Sequence, residues 1–233
     1  MKRRRIIRAL FLLSGLLPIL ALLSPQPDPT PLIYSLFVLT YIIRRRSAGG
    51  TEEARTSAWS FGLAIVGCGL LLESLSWANN FVKCAPQPAL MHPQLLPDLA
   101  LGIAFYGGWA IAWVLLLRRF WFSLPQLFCA QGAFGVLIEQ RGAIFLGGLA
   151  MMPFGLVLWT YVFLVYGSVV GIAYLLFGER LCAETGAARW WRYPLAWLLI
   201  TVLALAFVAV WQALLRAAGL LPDPRAICGF PLV

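Results

Sequence analysis

The stretch AIFLGGLAMMPFGLVLWTYVFLVYGSVVGIAYLLF, Ala143 to Phe177, contains no charged residue. As one continuous helix it would measure about 52 Å at 1.5 Å per residue, against a bilayer hydrocarbon core of about 30 Å. Only a membrane segment has this character, and it is too long for one straight crossing. Pro153 and Gly155 are the residues at which a helix kinks or breaks. The break leaves AIFLGGLAMM as an interfacial or re-entrant piece and the remainder as a crossing. An alternative with the same ends has 121–139 dip in and return while 143–177 crosses twice. It needs a turn inside GLVLWTYVF, which offers no turn residues, so the single broken crossing is preferred.

The rest of the chain has the same character. Of 233 residues, 61% are hydrophobic and 12% charged, and the mean hydropathy is +0.85. A soluble domain carries about 25% charged residues. Apolar segments fall at about 6–24, 30–43, 57–77, 97–117, 121–139, 143–177 and 193–219. The expected fold is all-α: a polytopic transmembrane helix bundle of about seven crossings, forming a single integral membrane domain over 1–233. Segment 6–24 follows KRRR and imitates a signal peptide, but it ends LALLSPQPDP without a small-residue cleavage site, so it is read as a retained first helix.

The net charge of +9 comes from short clusters at segment ends: Lys2 to Arg5, Arg44 to Arg46, Arg118 with Arg119, and Arg189 with Arg192. That pattern orients membrane helices, because cytoplasmic loops collect Lys and Arg. It is not the continuous basic face of a nucleic-acid binder. With the N-terminus inside and seven crossings, only Lys83, Arg141, Arg216 and Arg225 of the 18 cations fall outside. The expectation is therefore N-terminus in and C-terminus out, in the inner membrane of a bacterium.

The sizeable outer loop, 78–97, reads ANNFVKCAPQPALMHPQLLP. Cys84 and Cys228 both land on its side, which in a bacterium is oxidising; a disulfide and two free thiols both remain open. The chain has one histidine, His92, and no CxxC, so neither a metal site nor a cofactor is expected. No HExxH or GxSxG appears, and the last helix has no lysine for a retinal Schiff base.

Three acids lie in or at the edges of helices: Glu73, Asp98 and Glu139. Counting rise from the inner arginines puts each roughly 27–30 Å along its helix, at the outer interface. Trp77, Asn79, Asn80, His92 and Arg141 reach the same level. Buried carboxylates can act as general acids or proton carriers, and Arg141 can fork onto a phosphate or carboxylate. Each has a plainer reading. Asp98 follows Pro97 and can cap a helix, Glu139 and Arg141 can pair, and His92 is an ordinary loop histidine. Glu73 is the hardest to dismiss, because a carboxylate among Leu70, Leu71, Leu72 and Leu75 is costly without a partner or a wet cavity.

Three functions follow. The first is an outer-face polar site, with Glu73, Asp98 and Glu139 as catalytic candidates, for a lipid, isoprenoid or amphipathic ligand entering from the bilayer. The second is a structural or accessory subunit of a larger membrane complex, with other membrane subunits as partners. The third is a transporter of a small neutral or amphipathic solute.

Overall fold

The computed structural model describes residues 2–47, 57–86, 88–178, 181 and 190–228. Arg55, Arg180 and Arg189, the acids Glu52, Glu53, Glu179 and Glu184, and Cys182, on which part of the charge reading rests, lie outside them. The described residues form helices and connections without a strand: α1 (Lys2–Ser14), α2 (Leu17–Ala21), α3 (Leu32–Ser47), α4 (Ala58–Val82), α5 (Leu95–Arg119), α6 (Leu124–Leu137), a 3₁₀ turn (Glu139–Gly142), α7 (Ala143–Ala150), α8 (Gly155–Phe177) and α9 (Arg192–Ala217). Four of these, α4, α5, α8 and α9, are long and apolar enough to cross a membrane. The bent pair of α6 with the 3₁₀ turn and α7, angled by 57°, makes a fifth if it is one span.

The outward faces explain why such a chain leaves water. Leu63, Val157, Leu205 and Val210 all stand exposed. A water-soluble monomer rarely shows a continuous apolar surface of this kind.

Helices α5 and α8 form the centre. α5 buries Trp109, Ala112, Trp113 and Leu117 completely, packing α4 on one flank and α9 on the other. Gly108 allows the close approach to α9, since a Cβ there would lie 2.7 Å from the Ala204 backbone. α8 packs on α3, α4 and α6. The α8 glycines admit rings from neighbouring helices: Gly167 meets Phe128 of α6, and Gly171 meets Phe37 of α3 and Phe128.

The break near Pro153 is a reversal. Trp159 donates its indole N–H to the Ile144 carbonyl at 3.3 Å, its ring stacks on Phe145, and Gly155 lies directly against Gly148. α7 therefore folds back on the first turns of α8 as an antiparallel hairpin.

Two boundaries move relative to the apolar segments. α4 continues to Val82, because Asn80 donates its amide to the Ser76 carbonyl one turn back at 2.9 Å and keeps the Trp-Ala-Asn-Asn end helical. The connection to α5 shrinks to 83–94. That connection, the segment 22–31, the α7–α8 reversal and the tail after α9 gather at one end of the bundle. Arg44 to Arg46, Arg118 and Arg119 close helices at the other end.

Candidate functional site

Glu73 lies nine residues short of the end of α4, about 13 Å below it, and is half-buried. What permits it there is Tyr106, at the middle of α5 and 2% exposed, whose hydroxyl donates to Glu73 Oε1 at 2.7 Å. Gly69, one turn before Glu73, lets the two meet, because the Tyr106 ring lies flat where a Cβ of residue 69 would stand. The Tyr106 ring is in turn held edge-on against Trp109 and Phe105.

Across from Glu73 stands the break between α6 and α7. Gln140 (φ 51°), Arg141 (φ 58°) and Gly142 (φ 78°) are all left-handed. For the two non-glycine residues this costs roughly 1–2 kcal/mol each. Irregular backbone at membrane depth is tolerated where it is buried in protein or lines a wet cavity, and here it lines a cavity. Two adjoining chambers of about 320 and 290 Å³ share Glu73, Ala89, Gln140 and Tyr166. Glu139 lines the first, together with Met91, Phe105 and Leu205. Asn79, Asn80, Tyr106 and Tyr161 line the second.

A third, apolar groove of about 430 Å³ runs between α2 and α8, lined by Leu17, Pro18, Leu156 and Leu164. It shares Tyr161 and Val165 with the second chamber, so those side chains separate an oily groove from a polar chamber. The Tyr161 hydroxyl donates to Asp28 Oδ2 at 3.1 Å, and Asp28 Oδ1 accepts from the Thr30 N–H at 2.9 Å.

The residues singled out in sequence divide accordingly. Glu73, Glu139, Asn79 and Asn80 come together around the chambers. Asp98 is fully buried and accepts the His92 backbone N–H at 2.9 Å, which fastens the connection 83–94 to the first turn of α5. His92 is used up in the same device. Its Nδ1 accepts the Gln94 N–H at 3.2 Å, so Nε2 carries the proton and donates to the Pro222 carbonyl at 3.1 Å. Trp77 donates to the Pro93 carbonyl at 2.9 Å. Cys84 and Cys228 are joined by a disulfide, Cα–Cα 5.4 Å, and Gln94 donates to the Arg225 carbonyl at 2.9 Å. The tail is thereby strapped across the connection that supplies Ala89 and Met91 to the chambers. Arg141 is exposed and lines neither chamber.

The chain matches no protein-family model, no curated protein and no solved structure. What the site can do therefore rests on its own chemistry. Among the described residues, no group of three or more His, Cys, Asp and Glu comes together as a metal site. The chambers hold two carboxylates, amides and tyrosine hydroxyls beside an apolar groove. That set suits binding and proton exchange, and it presents no paired nucleophile and base.

Tyr106, Tyr161 and Tyr166 were not among the site candidates from sequence. A mid-helix tyrosine reads as an ordinary aromatic. The available signal was the Gly69–Glu73 spacing of one helical turn, which leaves a slot for a ring whose polar tip reaches the acid.

Proposed function

We propose that this is a polytopic inner-membrane protein of seven crossings that binds an amphipathic ligand in a lateral slot. The observation that carries the reading is the wall shared by the apolar groove and the polar chamber at Tyr161 and Val165. A ligand entering from the bilayer lays its chain between α2 and α8 and presents its polar end past Tyr161 to Glu73 and Gln140. Pockets of this kind use apolar walls for affinity and a few polar groups for orientation.

Seven crossings combine the four long helices, the bent α6–α7 span, and the shorter limbs α1–α2 and α3. The limbs form a hairpin, with Phe11 against Phe37 and Tyr41 and the Ser35 hydroxyl donating to the Gly15 carbonyl at 2.7 Å. The arginine end is assigned to the cytoplasm and the strapped end to the oxidising side, where a disulfide persists.

The test is photolabelling in nanodiscs with a long-chain alcohol carrying a diazirine on its chain. Label is expected between Leu156 and Val165 and on α2, and Val165→Trp, which fills the shared wall, should remove it. Label spread evenly over the outer faces of α4 and α9, and unchanged in Val165→Trp, overturns the slot.

A second reading, an accessory subunit, draws on the α4–α5 face. There a groove of about 400 Å³ has Gly62, Gly107 and Ala110 in its floor and Trp59 and Leu63 on its wall, and nothing lies within 4 Å of a Cβ at Gly107. Small residues of this kind admit a partner helix, and Gly107→Leu should then release a co-purifying subunit. A carrier has less support. Trp109, Trp113 and Phe122, all at 0% exposure, fill the bundle between the chambers and the arginine end.

A further inference from the structure

The slot's polar end is unbalanced in its hydrogen-bonding groups. Glu73 and Glu139 reach it from two different elements, and among the described residues no Lys, Arg or His lines either chamber. Tyr106 supplies one donor to Glu73, whereas an ionised carboxylate offers about four acceptor sites. α6 ends at this level too. Its C-terminal carbonyls carry the negative pole of the helix dipole, and the residue after its cap is Glu139, a carboxylate at the end of a helix that favours cations. Phe105, Tyr106 and Tyr166 complete the walls.

Two carboxylates and a helix C-terminus favour positive charge with N–H donors. Phosphate and carboxylate head groups would meet repulsion from them, and Arg141 is off the chamber wall. We infer that the ligand of the slot is an aliphatic ammonium: a single-chain amine whose NH₃⁺ group sits between Glu73 and Glu139, which line one chamber. The inference rests on the slot reading and adds the head-group class to it.

The experiment is equilibrium binding of radiolabelled dodecylamine to the full chain in zwitterionic nanodiscs, with empty nanodiscs as the partition control. Dodecanol, dodecyl phosphate and butylamine serve as competitors. Dodecylamine is expected to bind, Glu73→Gln and Glu139→Gln each to weaken it at least tenfold, and dodecanol to compete poorly. The two variants lie on separate elements and keep the shape of the side chain, and an unchanged melting temperature shows that each is folded. Dodecanol competing as well as dodecylamine, with both glutamine variants silent, overturns the ammonium while leaving the slot intact. Dodecyl phosphate as the strongest competitor overturns it as well. Butylamine competing as strongly as dodecylamine keeps the ammonium and removes the chain. No saturable binding of either dodecylamine or dodecanol removes the slot and the ammonium together.

Discussion

Replacing Tyr106 by phenylalanine deletes one oxygen atom and leaves the ring in its place over Gly69. The oxygen is the donor of the 2.7 Å bond to Glu73 Oε1, and Tyr106 is 2% exposed, so bulk water does not take its place. A hydrogen bond to a charged group contributes about 1.5–3 kcal/mol, and a neutral one about 0.5–1.5 kcal/mol. At a pH where Glu73 is ionised, Tyr106→Phe should therefore destabilise the wild-type background by about 2 kcal/mol. In a Glu73→Gln background, where the amide oxygen still accepts, it should cost about 1 kcal/mol. The coupling in the double-mutant cycle is the difference, about 1 kcal/mol, well above the scatter of about 0.3–0.5 kcal/mol seen for independent sites. Denaturant unfolding of the four proteins in one mixed-micelle system, followed by tryptophan fluorescence, measures it. A Tyr106→Phe loss below about 0.5 kcal/mol, equal in both backgrounds, would refute the claim that the tyrosine is what lets a carboxylate stand inside α4.

Other perturbations have distinct signatures. Gly69→Ala puts a methyl group into the Tyr106 ring and should cost about 1–3 kcal/mol by overpacking; a neutral result in the same unfolding assay would mean that α4 and α5 do not meet there. Gln131→Leu removes the acceptor of the buried Trp113 indole N–H, bonded at 2.8 Å, and should lose about 1–3 kcal/mol, read as a lower melting temperature. Cys84→Ser frees the tail from the connection 83–94, so limited proteolysis between Ala218 and Ile227 should accelerate. It should accelerate equally in the wild type after reduction, and no change in either would mean that the hydrogen bonds of His92 and Gln94 hold the tail unaided.

The helical membrane character was legible at once, because chains of apolar residues with arginines at their ends have few other solutions. Glu73 was legible too, as a cost that needed a partner. Its partner was not, since Tyr106 becomes one only when α4 and α5 pack in a register that places Gly69 beneath the ring. The apolar segment ending at Trp77 understates the length of α4. Five further residues stay helical, so Glu73 sits about 13 Å inside the helix end and not at its mouth. His92 is spent on the connection it belongs to, and Asp98 gives Oδ1 to that connection while its buried Oδ2 has no hydrogen-bond partner among the described residues. Arg141 was expected as a ligand clamp at the level of the acids, yet Gln140 and Arg141 are both left-handed, and Glu139 lines the chamber while Arg141 is exposed. The pairing of Cys84 with Cys228 was open because their nearness depends on where α4 and α9 finish, which no spacing encodes.

The disulfide has a consequence for how the molecule can open. It closes residues 84 to 228 into a covalent ring that holds α5, α6, α7, α8 and α9. The α1–α3 hairpin and α4 precede that ring in the chain, and the hairpin meets it chiefly through α3 on α8 and the Tyr161–Asp28 hydrogen bond. The apolar groove is the seam between the two parts, with α2 on one bank and α8 on the other. If the proposed slot admits a chain, the seam would widen by the hairpin moving against the ring, with Tyr161 releasing Asp28 and the disulfide left intact. The disulfide then sorts the two banks by covalent closure: α8 lies inside the ring and α2 outside it.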